Sequence, residues 1–310
     1  MTVALFTHAA CLAHEPGPGH PESRDRLAAV QTALAASEFA NLARLEAPPA
    51  TTAALTSVHS RSYVEAIFAA VIEPGRTITL DPDTHMSAGS LEAALRAAGG
   101  AIAAVDHVLG QRARTAFVAT RPPGHHAEMD KAMGFCLFNS VAIAAHHARA
   151  AHGLRRIAVV DFDVHHGNGT QAMFWNDPDL FYGSVHQMPC YPGTGAASER
   201  GAYGNIVNYP LPPGAGSGEY RAALTAVLDA LQAFSPDLVL ASAGFDAHVN
   251  DPLAAIELET EDFAWTAARL LEAGHGRLVS VLEGGYHLDA LAESVAAYLR
   301  VMLAEETAHD

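Results

Sequence analysis

The chain has little from which to build covalent or membrane anchorage. Its 310 residues include three cysteines, Cys11, Cys136 and Cys190, at wide spacings. Neither a disulfide framework nor a paired-cysteine zinc knuckle can be assembled from them. No apolar run approaches the ~20 residues of a membrane-spanning helix, and the short run over 3–6 lacks the basic flank of a secretory signal. Cytoplasm is the expected compartment. Basic residues are also scarce: 18 Lys and Arg stand against 34 Asp and Glu, a formal net charge of −16. Such a surface repels phosphate backbones and anionic lipid, which argues against nucleic acid and membrane as partners. It tolerates a cationic substrate, such as a lysine-rich peptide or a polyamine. Only 17% of residues are charged and 50% are hydrophobic, so a sizeable core is available and global disorder is not expected. Oligomeric state cannot be read.

Short β-rich runs over 3–7, 116–119, 157–161, 180–185, 205–209, 238–242 and 278–282 alternate with Ala/Leu-rich stretches. The latter read as helices over 27–36, 87–109, 139–151, 218–233, 260–273 and 288–303. Several strand runs are continuously apolar, as strands buried on both faces of a parallel sheet are. The alternation predicts an α/β fold: one domain over 1–310, with a mostly parallel sheet and helices on both faces. Polar clusters follow three of the strands: Asp161 to Gly167, Ala243 to Asp246, and Glu283 to Tyr286. Open α/β sheets bind ligands beyond the carboxyl ends of their strands, so these distant segments can converge at one edge.

Within Asp161-Phe162-Asp163-Val164-His165, alternate side chains share a side while the chain stays extended. Asp163 and His165 can then reach one ion, with Asp246 supplying a third ligand. Two carboxylates and one imidazole suit a zinc that keeps room for water and substrate, although ligand type alone leaves Fe(II), Mn and Co open. Taken singly, each residue reads more readily as structural, since strand-end aspartates often cap turns or helices; the combination of DxDxHHG with the later GFDAH is what points to a metal. The second cluster is Arg121-Pro122-Pro123-Gly124-His125-His126, where a rigid turn presents two imidazoles to one pocket. His146 and His147 lie in an Ala-rich helix, where neighbours do not share a face; they read as structural. Gly134-Phe135-Cys136 reads as a bend beside an aromatic.

At these residues the sequence resembles the arginase–deacetylase superfamily, specifically the zinc-dependent histone deacetylases. It looks closest to their class II and bacterial branch, which includes acetylpolyamine amidohydrolases. The match runs in order through His20-Pro21-Glu22-Ser23, Val58-His59-Ser60, Asp81-Pro82-Asp83-Thr84, RPPGHHA, GFCLFNS, DFDVHHGNGTQ, Tyr191 to Gly195, AGFDAH and LEGGY. RPPGHH with DxDxHHGNGT is its most specific part. The resemblance implies one α/β domain around an eight-stranded parallel sheet, with one zinc at the strand ends.

The same resemblance implies Asp163, His165 and Asp246 as zinc ligands and His125 and His126 as a catalytic dyad. Asp161 would orient His125, and Tyr286 would polarise the scissile carbonyl. Asn168 would partner His126; class I members carry aspartate there, and an uncharged partner orients the ring but stabilises imidazolium less. Phe135 and Tyr191, with Gly134 beside them, would wall an acyl-lysine tunnel, and Asp83 would stand at its rim. Asp161, Ser184 and the backbone near His165 resemble a monovalent-cation site, usually potassium. Leu253 falls in a loop bordering the tunnel mouth, where the polyamine-specialised branch carries glutamate. The implied activity is removal of acetyl or another acyl group from lysine side chains or related amines. Acetylpolyamines and small amides are alternative substrates. An arginase-like two-manganese centre would need further aspartates, whereas Asp246 is followed by Ala247 and His248. A non-catalytic acyl-binding protein would typically have lost a ligand, a dyad histidine or Tyr286, and all are present.

Overall fold

The apolar runs pair side by side. The computed structural model describes residues 3–308. Its strands are β1 (Ala4–Thr7), β2 (Ala43–Glu46), β3 (Thr77–Asp81), β4 (Thr84–Ser87), β5 (Thr115–Val118), β6 (Ile157–Asp161), β7 (Leu180–Gln187), β8 (Ile206–Leu211), β9 (Leu238–Ala243) and β10 (Leu278–Leu282). Its α-helices are α1 (Arg24–Ala33), α2 (Thr52–Leu55), α3 (Arg61–Ala69), α4 (Ser90–Leu109), α5 (Ser140–His152), α6 (Asn168–Phe174), α7 (Ser217–Phe234), α8 (Thr260–Ala273) and α9 (Leu288–Ala308). Eight strands form one sheet in the order β2-β1-β5-β10-β9-β6-β7-β8. Every neighbouring pair is parallel, so the sheet is wholly rather than mostly parallel. Parallel neighbours need long crossovers, which the helices supply.

Alternation along each strand divides the core in two. Ala158 and Val160 of β6 join Val239 and Ala241 of β9 in a cluster with α1, α7, α8 and α9. Ile157 and Val159 join Leu238 and Leu240 in a second cluster with α3, α4 and α5. Helices therefore cover both faces, as the apolar runs required.

Two regions depart from the sequence reading. The edge strand β2 is Ala-Arg-Leu-Glu, half-exposed on alternate residues, with no β-branched or aromatic residue to mark it. β3 and β4 form an antiparallel hairpin with Asp83 at its tip, and α4 begins only at Ser90, three residues inside the expected helix. Among the described residues no helix is long and apolar enough to cross a membrane.

The topology sets the site. β5 and β6 are separated by β9 and β10, inserted from the end of the chain. The segments after β5, β6, β9 and β10 thus emerge together at the carboxyl edge.

Candidate active site

β6 ends at Asp161, yet alternation continues beyond it. Phe162 and Val164 turn into the core, while Asp163 and His165 turn to the strand ends. His165 Nδ1 lies 3.1 Å from Asp163 Oδ1 and 3.1 Å from Asp246 Oδ2. The other oxygen of each carboxylate is pinned by a backbone amide. Gly284 N donates to Asp163 Oδ2 at 2.8 Å, and Val164 N donates to Asp246 Oδ1 at 2.9 Å. Ligand atoms of the three side chains lie within 4.8 Å of one another, and all three residues are buried. A Cβ at Gly284 would stand 2.0 Å from Asp246 Oδ2 and 2.6 Å from Asp163 Oδ2, so only glycine lets the chain pass here.

The trio is short of positive charge. Among the described residues no lysine or arginine hydrogen-bonds Asp163 or Asp246. Burial, with the Asp163 charge added, pushes the Asp246 carboxyl up to about 7. Two buried carboxylates and one imidazole with that imbalance fit a divalent cation.

The two histidines after β5 face different partners. His125 Nδ1 meets Asp161 Oδ2 at 3.0 Å, and Tyr182 donates to the same oxygen at 3.0 Å. Burial resists charging of His125, but Asp161 and Asp163 more than offset it and hold the ring up to about 10. His126 Nδ1 meets Asn168 Oδ1 at 2.9 Å. Burial, then the neighbouring His125 and His165, pushes His126 well below its ordinary value. The two rings stand 4.0 Å apart. Asn168 is not the end of this chain of contacts, because its Nδ2 donates to Glu128 Oε1 at 2.8 Å.

A cavity of about 220 Å³ opens onto this floor, lined by Asp83, His126, Gly134, Phe135, His165, Tyr191, Leu253 and Tyr286. Each of the eight was expected from sequence. Phe135 packs edge-on to Tyr286 at 5.8 Å, and Tyr191 edge-on to His126 at 5.1 Å. Gly134 and Phe135 both take positive φ, 56° and 67°. A side chain at Gly134 would place its Cβ 2.3 Å from the His126 ring. The hairpin tip braces this bend: Asp83 Oδ1 accepts from Gly134 N at 3.1 Å, and Thr84 Oγ1 accepts from Phe135 N at 3.0 Å. Burial keeps the Tyr286 phenol well above its usual range, hence a protonated donor.

Several residues that hold the site were not singled out from sequence. Asp251 Oδ2 accepts from Tyr286 N at 2.6 Å and His287 N at 3.3 Å, while its Oδ1 accepts from Leu253 N at 3.1 Å. Arg26 lies 4.7 Å over the Tyr286 ring and donates to Gly285 O and Glu283 O. Buried Glu22 pairs with Arg26 and, through both oxygens, with Arg121. Glu283 Oε2 accepts from Gly124 N at 2.6 Å and His125 N at 3.2 Å. For Glu22, Arg121 and Glu283 the available signal was membership of the HPES, RPPGHH and LEGGY motifs; Arg26 and Asp251 lie outside these motifs.

Ser184 neighbours Asp161 across β6 and β7, and its Oγ meets His186 Nδ1 at 2.8 Å. His147 meets Asp106 Oδ1 at 2.6 Å, joined there by His152 at 2.7 Å. This second carboxylate–imidazole trio is half-exposed and lies away from the cavity.

A wholly parallel α/β sheet carrying a buried Asp-His-Asp trio and a histidine dyad at its strand ends defines the arginase–deacetylase fold. The family description "Histone deacetylase domain" matches residues 20–302. The chain is 45% identical to an uncharacterised protein of Synechocystis, over 97% of this chain and 99% of that one. It is 43% identical to a probable deacetylase of Methanothermobacter thermautotrophicus, over 93% and 87% of the two chains. It is 40% identical to a histone deacetylase-like amidohydrolase of Pseudomonas aeruginosa, over 91% and 81%. The crystal structure of the HDA15 HD domain matches with a TM-score of 0.92 at 35% identity, covering 99% of this chain and 89% of that one. The chain belongs to the histone deacetylase family.

Proposed function

We propose that residues 1–310 act as one zinc-dependent amidohydrolase that removes acetyl groups from lysine side chains or related amines. One observation carries the reading: the buried trio and the dyad meet at the floor of an aromatic-walled cavity. When bound, zinc supplies a Lewis acid that polarises the amide carbonyl and acidifies water.

The chain's own residues do the rest. Asn168 Oδ1 accepts a hydrogen bond from the His126 Nδ1–H, which leaves the Nε2 lone pair for the attacking water. His126 removes the water's proton and returns it to the leaving amine nitrogen. The Tyr286 hydroxyl donates to the carbonyl oxygen as that oxygen gains charge. His125, held against Asp161, contributes positive potential. Phe135 and Tyr191 flank the aliphatic stem and exclude water. Asp83, which braces the bend at Gly134, offers the rim a carboxylate for the substrate backbone. Asp161 and Ser184 stand side by side for a potassium ion, and no step depends on it. A two-manganese centre is disfavoured because Ala247 is buried and His248 turns to Asn250 N and Thr260. The three free cysteines keep the cytoplasm as the proposed compartment.

Leu253 supports acyl-lysine over polyamine. It lines the cavity where it presents an apolar surface and no partner for an internal ammonium. The test is an assay of acetyl-lysine peptide and acetylspermidine on wild type and Leu253→Glu at low salt, with and without chelator. Wild type should prefer the peptide, chelator should abolish turnover, and Leu253→Glu should move the kcat/KM ratio about tenfold toward the polyamine. Absence of hydrolysis of every acyl amide, or full activity in verified metal-free protein, would overturn the function. A wild type that already prefers acetylspermidine, or an unmoved ratio, would overturn the role of Leu253.

A further inference from the structure

Glu128 lies two residues beyond the dyad and takes no part in the chemistry above. Its backbone is pinned on both sides: Glu128 N donates to Lys131 O at 2.9 Å, and Glu128 O meets His59 Nδ1 at 2.9 Å. Its side chain is thereby aimed at Asn168, the first residue of α6. The Asn168 amide has two faces with different demands. One meets Glu128 Oε1 at 2.8 Å and His126 O at 3.4 Å; the other meets His126 Nδ1 at 2.9 Å. A carboxylate and a carbonyl can only accept, so the amide nitrogen must face Glu128 and the amide oxygen must face His126. That oxygen also only accepts. His126 must then carry its hydrogen on Nδ1 and present the Nε2 lone pair to the cavity.

We propose that Glu128 is a positioning residue of the dyad: it fixes the orientation of the Asn168 amide, through it the tautomer of His126, and it requires an amide at position 168. The proposal rests on His126 acting as the base. The second half follows from the geometry. A carboxylate at 168 would set an oxygen where Nδ2 now stands, 2.8 Å from Glu128 Oε1, and two like charges at that distance repel. Aspartate at 168 is therefore harmful while Glu128 is present and helpful once it is gone. This alters the expectation from sequence, in which the partner of His126 was simply uncharged; a carboxylate stands one residue further back. The rival account is that the 3.4 Å contact to His126 O and the 3.3 Å contact to Met133 Sδ hold the amide without Glu128.

The test is a cycle of wild type, Glu128→Ala, Asn168→Asp and the double variant, with Glu128→Gln as the conservative change. Each is measured for kcat and KM on an acetyl-lysine peptide and for melting temperature. Glu128→Ala should lower kcat about tenfold with KM within about twofold, as loss of an orienting partner does. Glu128→Gln, whose carbonyl still accepts from the amide, should restore most of that loss. Asn168→Asp alone should lose more, and adding Glu128→Ala to it should raise kcat about tenfold and the melting temperature by about 2 °C. A residue that merely supports the fold would not reverse the sign of its own substitution. Independent effects in the double variant, or wild-type kcat in Glu128→Ala, would overturn the proposal. If wild type hydrolyses no acyl amide, the proposed function fails, while the melting cycle still scores the Glu128–Asn168 coupling. Additive melting shifts would then overturn it.

Discussion

Asp163, His165 and Asp246 offer ligand atoms within 4.8 Å of one another, as do Asp106, His147 and His152, but the two trios differ in charge balance. In the half-exposed trio, two imidazoles converge on one carboxylate oxygen, at 2.6 and 2.7 Å. Although burial opposes it, hydrogen bonds from His147 and His152 hold the Asp106 carboxyl below its usual range. The protein stabilises that anion by itself. In the buried trio two carboxylates share one imidazole, and Asp246 is driven up to about 7 by burial and by Asp163. His125 stands 3.9 Å from Asp163, but among the described residues no lysine or arginine hydrogen-bonds either carboxylate. Clustered donor atoms alone therefore do not distinguish the two trios; a buried deficit of positive charge is what makes one of them fit a divalent cation.

The sharpest way to break this comparison is to delete one carboxylate from each trio. Asp246→Ala should lose the zinc, about one per chain by metal analysis, and lower turnover below detection. Asp106→Ala should keep both the zinc and, within about twofold, the kcat, as a change remote from the site does. Zinc lost on Asp106→Ala, or retained on Asp246→Ala, would reverse the assignment. Tyr286→Phe sharpens it further, because it removes a donor beside the buried trio without touching a ligand. Its kcat should fall roughly a hundredfold, with zinc content and melting temperature unchanged. A kcat within about twofold of wild type would make Tyr286 a bystander.

The same contrast explains what was legible in the sequence. Seven strands were legible as β-rich runs, several of them continuously apolar because burial on both faces leaves no room for polar alternation. β2 stayed hidden because an edge strand is stabilised by its one neighbour and needs no such run. The eighth strand came from the resemblance alone. The buried trio was legible because strand alternation puts Asp163 and His165 on one side, and Asp246 follows a second strand whose carboxyl end lies at the same edge. Asp106, His147 and His152 join two helices and leave no local pattern. Glu128, Asp251 and Arg26 were missed for a related reason. Each acts through backbone or amide contacts that only tertiary structure creates, such as Arg26 with Gly285, 259 positions away in sequence.

The smallest expected effect separates the trios by sign, in melting curves of chelated protein. Folding lowers the Asp106 pKa. Its carboxylate therefore contributes stability in full above the unfolded value near ~3.9, and that contribution is lost as pH falls through the folded value. With solvent screening at a half-exposed site, Asp106→Asn should lower the melting temperature by only about 1 °C at pH 8. The difference should fade below about pH 3. Folding raises the Asp246 pKa to about 7, so its ionised form costs stability above the unfolded value, and in full above the folded one. Asp246→Asn removes that cost and keeps an acceptor for Val164 N. In metal-free protein at pH 8 it should raise the melting temperature by about 2 °C, a gain that disappears below about pH 4. Shifts of the same sign in the two variants would mean that the charge imbalance distinguishing the trios is not felt by the folded chain.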